Sequence, residues 1–117
     1  MAVMSYYFEV GDETVWNPAS RVGELYVGML EAAAAVLKVP SGLTPGADES
    51  YIDMPVFEVL VQKMLAYRIE VGHPAMSIML DGILPLSIML VEKGGGTLAV
   101  TTEQERRYLT EARDKLL

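Results

Sequence analysis

The chain contains no cysteine, which excludes disulfides, thiolate metal sites and cysteine nucleophiles and leaves its redox compartment unread. Histidine is nearly absent too. With His73 alone, a zinc site would have to be built mostly from carboxylates, which zinc rarely accepts in structural sites. Basic residues are scarce: nine Lys and Arg face sixteen Asp and Glu, a formal net charge of −7. Binding to phosphate backbones and to anionic lipid both need clustered cations, so neither nucleic acid nor a membrane is an expected partner. Gly94-Gly95-Gly96 lacks the Lys and Ser or Thr of a phosphate loop and reads as a flexible joint. Asp48, Glu49 and Asp53 lack the ligand alternation and final glutamate of a calcium loop. They read as a solvated acidic edge facing a basic partner. Ser77 and Ser87 have no histidine at a recognisable spacing, so no nucleophilic triad is expected, nor any metal or cofactor. The opening MAVMSYYFEV lacks the basic and apolar regions of a secretory signal. Cytoplasmic residence is the expectation, with Met4-Ser5 a possible native start and the first three residues an alternative start or a remnant.

What the chain does have is a run from Ala75 to Val91, AMSIMLDGILPLSIMLV, that is apolar on every side of a helix. As a membrane span it would be short, would carry Asp81 near its middle and would lack an aromatic or cationic belt. A central core helix enclosed by protein is the better reading. Pro85 removes its own N–H and collides with the carbonyl of Asp81, so a kink or a division is expected near Asp81-Gly82.

With 117 residues, 51% of them hydrophobic, the chain suits one domain, residues 1–117. Ser5–Val10 and Glu13–Trp16 around Gly11-Asp12 read as a hairpin. Asn17-Pro18 reads as a helix start, after which Val22, Leu25, Tyr26, Met29, Leu30, Ala33, Val36 and Leu37 recur at helical intervals. Leu43–Tyr51 reads as an exposed acidic loop. Asp53-Met54-Pro55 opens a second helix to about Val71, with Phe57, Leu60, Val61, Met64, Leu65 and Arg68 on one face. Thr97–Val100 reads as a late strand pairing with the hairpin. Thr102 and Glu105 form a capping box for a last helix to Leu117, with Glu103–Arg107 and Glu111–Lys115 pairs on its wet side. The expected architecture is α+β: a small antiparallel sheet, from the N-terminal hairpin and one late strand, packed on three to four helices.

The phrase YYFEVGDETVWNP, the acidic stretch after it and IDMPVFEVLV resemble a family of small uncharacterised actinobacterial proteins, most strongly over about the first seventy residues. The resemblance implies a cytoplasmic bacterial protein and transfers no activity and no functional residue.

Two candidates for chemistry stand out. Asp81, if buried, would have a raised pKa and serve as a general acid or base in an apolar pocket; otherwise it caps the second half of the broken helix or faces water. His73 is a base or ligand candidate, or a boundary residue before a helix-opening proline. Met64, Met76, Met79 and Met89 could form an adaptable surface for a hydrophobic ligand or partner helix, or fill gaps in the core. Trp16 and Tyr51, with Tyr6, Tyr7 and Phe8, could line a mouth of the fold or pack the sheet. Two functions follow. One is a non-catalytic, immunity-like or accessory protein that docks a protein partner. The other is a cofactor-independent enzyme or carrier with a hydrophobic pocket for an apolar metabolite. Excess apolar helix surface also suits a homodimer.

Overall fold

The computed structural model describes residues 4–116, so the first three residues, read as an alternative start, and the final Leu117 lie outside the described residues, whereas Met4-Ser5 lies within them. Four strands and five helices follow one another as β1 (Tyr7–Val10), β2 (Glu13–Trp16), α1 (Ser20–Leu37), β3 (Leu43–Pro45), β4 (Glu49–Ile52), α2 (Met54–Glu70), α3 (Pro74–Asp81), α4 (Leu84–Lys93) and α5 (Glu103–Lys115). The fold class is α+β, as the sequence predicts.

The sheet differs from the expected one. Its order is β2-β1-β4-β3, with β1 parallel to β4 and the other two pairs antiparallel. The stretch read as an acidic loop is therefore a second hairpin, turning at Gly46, whose N–H donates to the Glu49 carbonyl at 2.7 Å. Thr97–Val100 joins no strand. Its backbone is satisfied instead by side chains of α2. The Gln62 amide donates to the Ala99 carbonyl at 2.9 Å and accepts from the Ala99 N–H at 2.8 Å, while Glu58 accepts from the Thr97 N–H at 3.3 Å. One primary amide thus does for Ala99 what a neighbouring strand would do.

Alternation places Phe8, Val15, Ser50 and Ile52 on the inner face of the sheet. Phe8 meets Tyr6, Trp16 and Tyr26 with ring centroids 5.0 to 5.6 Å apart, so Trp16 is a wedge between the sheet and α1. Gly23 lets α1 approach: a Cβ there would overlap the Cβ of Tyr6. α2 supplies the floor of the core through Phe57, Leu60, Val61, Met64 and Leu65, all fully buried. The first helix starts later than Asn17-Pro18 suggests, at Ser20, with Ala19 in the cap position. It ends on Lys38 in a left-handed conformation, and the Lys63 ammonium donates to the Leu37 carbonyl at 2.9 Å.

The apolar run divides where proline interrupts it. α3 and α4 meet at 41°, and no single helix of the described residues is long and apolar enough to cross a membrane. Enclosure by protein holds for only half of the run. α4 buries Leu84, Pro85, Ser87, Ile88, Leu90 and Val91, whereas α3 buries only Leu80 and exposes Ile78 and Met79. The glycine joint after α4 is packed, since a Cβ at Gly94 or Gly96 would collide with Met54. α5 opens with the expected capping box of Thr102 and Glu105. Its salt bridges are Glu103–Arg106 at 3.5 Å and Glu92–Arg113 across to α4, in place of the predicted i,i+4 pairs.

Two consequences are measurable. Gln62→Ala should leave two backbone groups of Ala99 without protein partners, lowering stability by about 1 kcal/mol and accelerating hydrogen exchange at the Ala99 amide. Gly23→Ala gains about 1 kcal/mol of helix propensity, yet the overlap with Tyr6 costs about 1–3 kcal/mol. The net change should be a lower thermal midpoint, read by circular dichroism.

Candidate functional site

Asp81, the last residue of α3, sits among three helices. The Arg68 Nε of α2 donates to Asp81 Oδ1 at 2.9 Å and its Nη2 to Oδ2 at 3.2 Å, a fork-on-fork pair. The Tyr108 hydroxyl of α5 donates to the same Oδ1 at 2.5 Å. The Arg68 guanidinium carbon also lies 5.4 Å from the centre of the Tyr108 ring, a cation–π contact. Asp81 thus neither caps α4, whose cap position is Ile83, nor stands alone in an apolar pocket.

The raised pKa expected of a buried Asp81 does not arise, because the group is only partly buried and is engaged by a cation. Partial burial pushes the Asp81 carboxyl up, but the hydrogen bonds from Arg68 and Tyr108 and the Arg68 charge outweigh it and hold the group below its ordinary value. Burial and the bond to Asp81 push the Tyr108 phenol up, and the Arg68 guanidinium is pushed up by the same bond to Asp81. Near neutral pH the arrangement is carboxylate, guanidinium and neutral phenol. It has no group ready to exchange a proton.

His73 is a boundary residue: its Nδ1 accepts from the Met76 N–H at 3.4 Å at the start of α3. The four methionines do not converge. Met64 is fully buried and closed to any ligand, Met76 and Met79 line a groove between α1 and α3, and Met89 lines a separate cleft against α5. The groove has a volume of about 290 Å³ and walls that include Met29, Ala33, Val36, Leu80 and Ile83. Asp81 is not among its walls, so the apolar cavity and the acidic candidate are separate features. Among the described residues, no group of three or more His, Asp or Glu side chains is placed to hold a metal ion.

Tyr51 and Trp16 face opposite ways. Trp16 belongs to the aromatic core, while Tyr51 is on the outer face of the sheet. That face carries a pattern the sequence alone does not display. In the parallel register of β1 and β4, Tyr7 lies beside Glu49 and Glu9 beside Tyr51, so two phenols and two carboxylates alternate as a checkerboard. Thr14 of β2 donates to Glu9 at 2.9 Å and flanks it on one side, and Thr44 of β3 flanks Tyr51 on the other. The Glu49 charge, followed by partial burial and the charges of Glu9 and Asp48, pushes the Tyr51 phenol up. From Tyr6 to Trp16 and from Leu43 to Asp53 there are six acidic residues, Glu9, Asp12, Glu13, Asp48, Glu49 and Asp53, and no Lys or Arg. Nearly the whole net charge of −7 is therefore concentrated on the sheet and its turns.

The sequence profile of a family of unknown function, DUF6086, matches residues 4–116. The chain belongs to that family. Neither the curated proteins nor the solved structures contain a match to this DUF6086 chain. The parallel neighbour of Tyr7 and Glu9 lies some forty residues downstream, and no local signal could have placed it there.

Because its carboxyl is held below the ordinary value, Asp81 contributes stability above about pH 4, the value of an unfolded aspartate, and loses it as the pH falls further. Glu105, held down by the Thr101 and Thr102 hydrogen bonds, acts in the same window. Asp81→Asn should cost about 1–2 kcal/mol at pH 7, and its thermal midpoint should fall less than that of the wild type between pH 5 and pH 3. An equal fall in both would mean that the Arg68 pair is not linked to folding.

Proposed function

We propose that this protein is a small acidic interaction module of the bacterial cytoplasm, without catalysis, which docks a basic protein partner on the outer face of its sheet in the manner of an immunity or accessory protein. The supporting observation is the checkerboard of Tyr7, Glu9, Glu49 and Tyr51 within a region of six acidic residues and no cation. The chain itself illustrates what such a pair of groups accommodates. Arg68 is held by a carboxylate, Asp81, and by the ring of Tyr108. On the sheet the same two group types alternate with no Lys or Arg of the sheet to fill them, and Tyr7 and Tyr51 are 37% and 48% exposed. A partner presenting arginines in extended or helical form would supply the cations, gaining charge-assisted hydrogen bonds and ring contacts together.

The alternative, a cofactor-independent enzyme or carrier for an apolar metabolite, draws on the apolar groove. It gains nothing from Asp81, which is ionised, engaged by Arg68 and Tyr108, and absent from the groove walls.

A fluorescein-labelled arginine-rich peptide provides the test at low ionic strength, where the attraction is least screened. Glu9→Gln with Glu49→Gln should weaken binding at least tenfold. Glu103→Gln with Glu111→Gln on α5, which changes net charge equally, should alter it less than twofold. Tyr51→Ala should cost several-fold. Equal loss in the two double variants would show bulk charge acting without a site, and would sink the proposal.

A further inference from the structure

α1 carries two apolar seams where a helix packed on one side needs one. The first, Gly23, Tyr26, Leu30, Ala34 and Leu37, is buried in the core. The second is Val22, Leu25, Met29, Ala32 and Val36, which succeed one another at intervals of three, four, three and four residues. It is open to solvent, with Leu25 and Val36 each 65% exposed. That alternation is the spacing at which two helices mesh knobs into holes along a shared seam. The lower part of the seam, Met29, Ala32 and Val36, also forms one wall of the groove whose other wall includes Met76 and Met79 of α3.

The choice of occupant follows from charge and extent. An acyl chain or apolar metabolite in the groove would leave Val22 and Leu25 uncovered, because they lie beyond its walls. A basic partner finds its complement on the sheet. The seam itself carries no charged residue, and the charges of α1 as a whole cancel, Arg21 and Lys38 against Glu24 and Glu31, so a second copy approaches it without the repulsion that the sheets would exert on each other. We infer that this seam and groove form a two-fold interface between two copies of the chain, α1 of each copy seated in the α1–α3 groove of the other, with the axis passing near Met29. Residue 29 is the midpoint of the seam from Val22 to Val36, so an antiparallel pairing sets Val22 of one copy near Val36 of the other. A helix of 18 residues is about 27 Å long, and with the short α3 beside it the face is roughly 400 Å² per copy before side-chain relief. Two such faces bury about 800 Å² in all, below the size of a standard specific interface, so a weak, concentration-dependent self-association is expected.

Sedimentation equilibrium from 5 to 500 µM, in about 0.15 M salt, should show the mass rising from 12.8 kDa toward twice that value. Leu25→Glu should weaken the association at least thirtyfold while keeping the wild-type circular dichroism. Val59→Glu, at an exposed apolar position of α2, should leave it unchanged. Because the chain has no cysteine, Met29→Cys introduces a single thiol, which should give a disulfide-linked dimer on mild oxidation, where Val59→Cys stays monomeric. This second assay decides the question if Leu25→Glu unfolds. A constant 12.8 kDa mass up to 500 µM overturns the inference, whether or not the groove binds an alkyl probe. A dimer that Leu25→Glu leaves intact and that Met29→Cys does not trap overturns it as well.

Discussion

The missing N–H of Pro85 constrains more of this molecule than any contact does. A straight helix from Pro74 to Lys93 would be about 30 Å long and apolar on nearly every side, longer than the 27 Å short axes of the molecule. The helix instead ends at Asp81, tightens through Gly82 and Ile83, whose N–H groups donate to Met79 and Leu80, and restarts with Pro85 inside its first turn, where a missing donor costs little. The bend lets α4 pass through the core while α3 lies on the surface. It also makes Asp81 the C-terminal residue of α3, within reach of Arg68 and Tyr108, so that α2, α3 and α5 are tied at one carboxylate.

The same break exposes backbone polarity inside the core, and the chain answers it with hydroxyls. Ser87 donates to the Ile83 carbonyl at 2.9 Å and, having one proton, must accept at 2.6 Å from Tyr26 of α1. Tyr6 repeats the device beneath the sheet, donating to the Glu49 carbonyl and meeting Ser50 at 2.7 Å. Both Tyr–Ser pairs are buried and join elements more than forty residues apart. Among the described residues no buried side-chain nitrogen or oxygen lacks a partner. An apolar core this small tolerates few orphaned polar atoms, and these pairs fix how α1 meets α4 and how the segment before β1 meets β4.

What could be read from the sequence was local. The proline break, the capping box of Thr102 and Glu105, the buried face of α2 and the first hairpin each depend on residues within one or two turns of one another. What could not be read depends on distant competition. Thr97–Val100 has strand-forming residues, as do Leu43-Thr44 and Ser50–Ile52, and propensity cannot rank them. The latter pair with each other across a short turn and then with β1. The former is held by Gln62 of α2. The Asp81 cluster joins residues 13 and 27 positions apart on three helices, and the direction of its pKa shift is not legible locally because the apolar neighbours of Asp81 in sequence are not its neighbours in space. Periodicity likewise found both seams of α1 without telling the buried from the open one.

Separation of charge from apolar surface is what gives these features a functional meaning. The long axis of the molecule is 46 Å, against a screening length of about 8 Å in physiological salt, so an approaching molecule feels the local charge and not the total. Beyond the sheet region the acidic and basic residues nearly cancel, with ten Asp and Glu to nine Lys and Arg. The sheet face therefore favours the close approach of cationic surfaces and disfavours that of its own copies, while at the α1–α3 face shape and the release of water from apolar surface would decide what is held. Two faces governed by different forces can be occupied together, and salt should weaken contacts at the first while leaving those at the second nearly untouched.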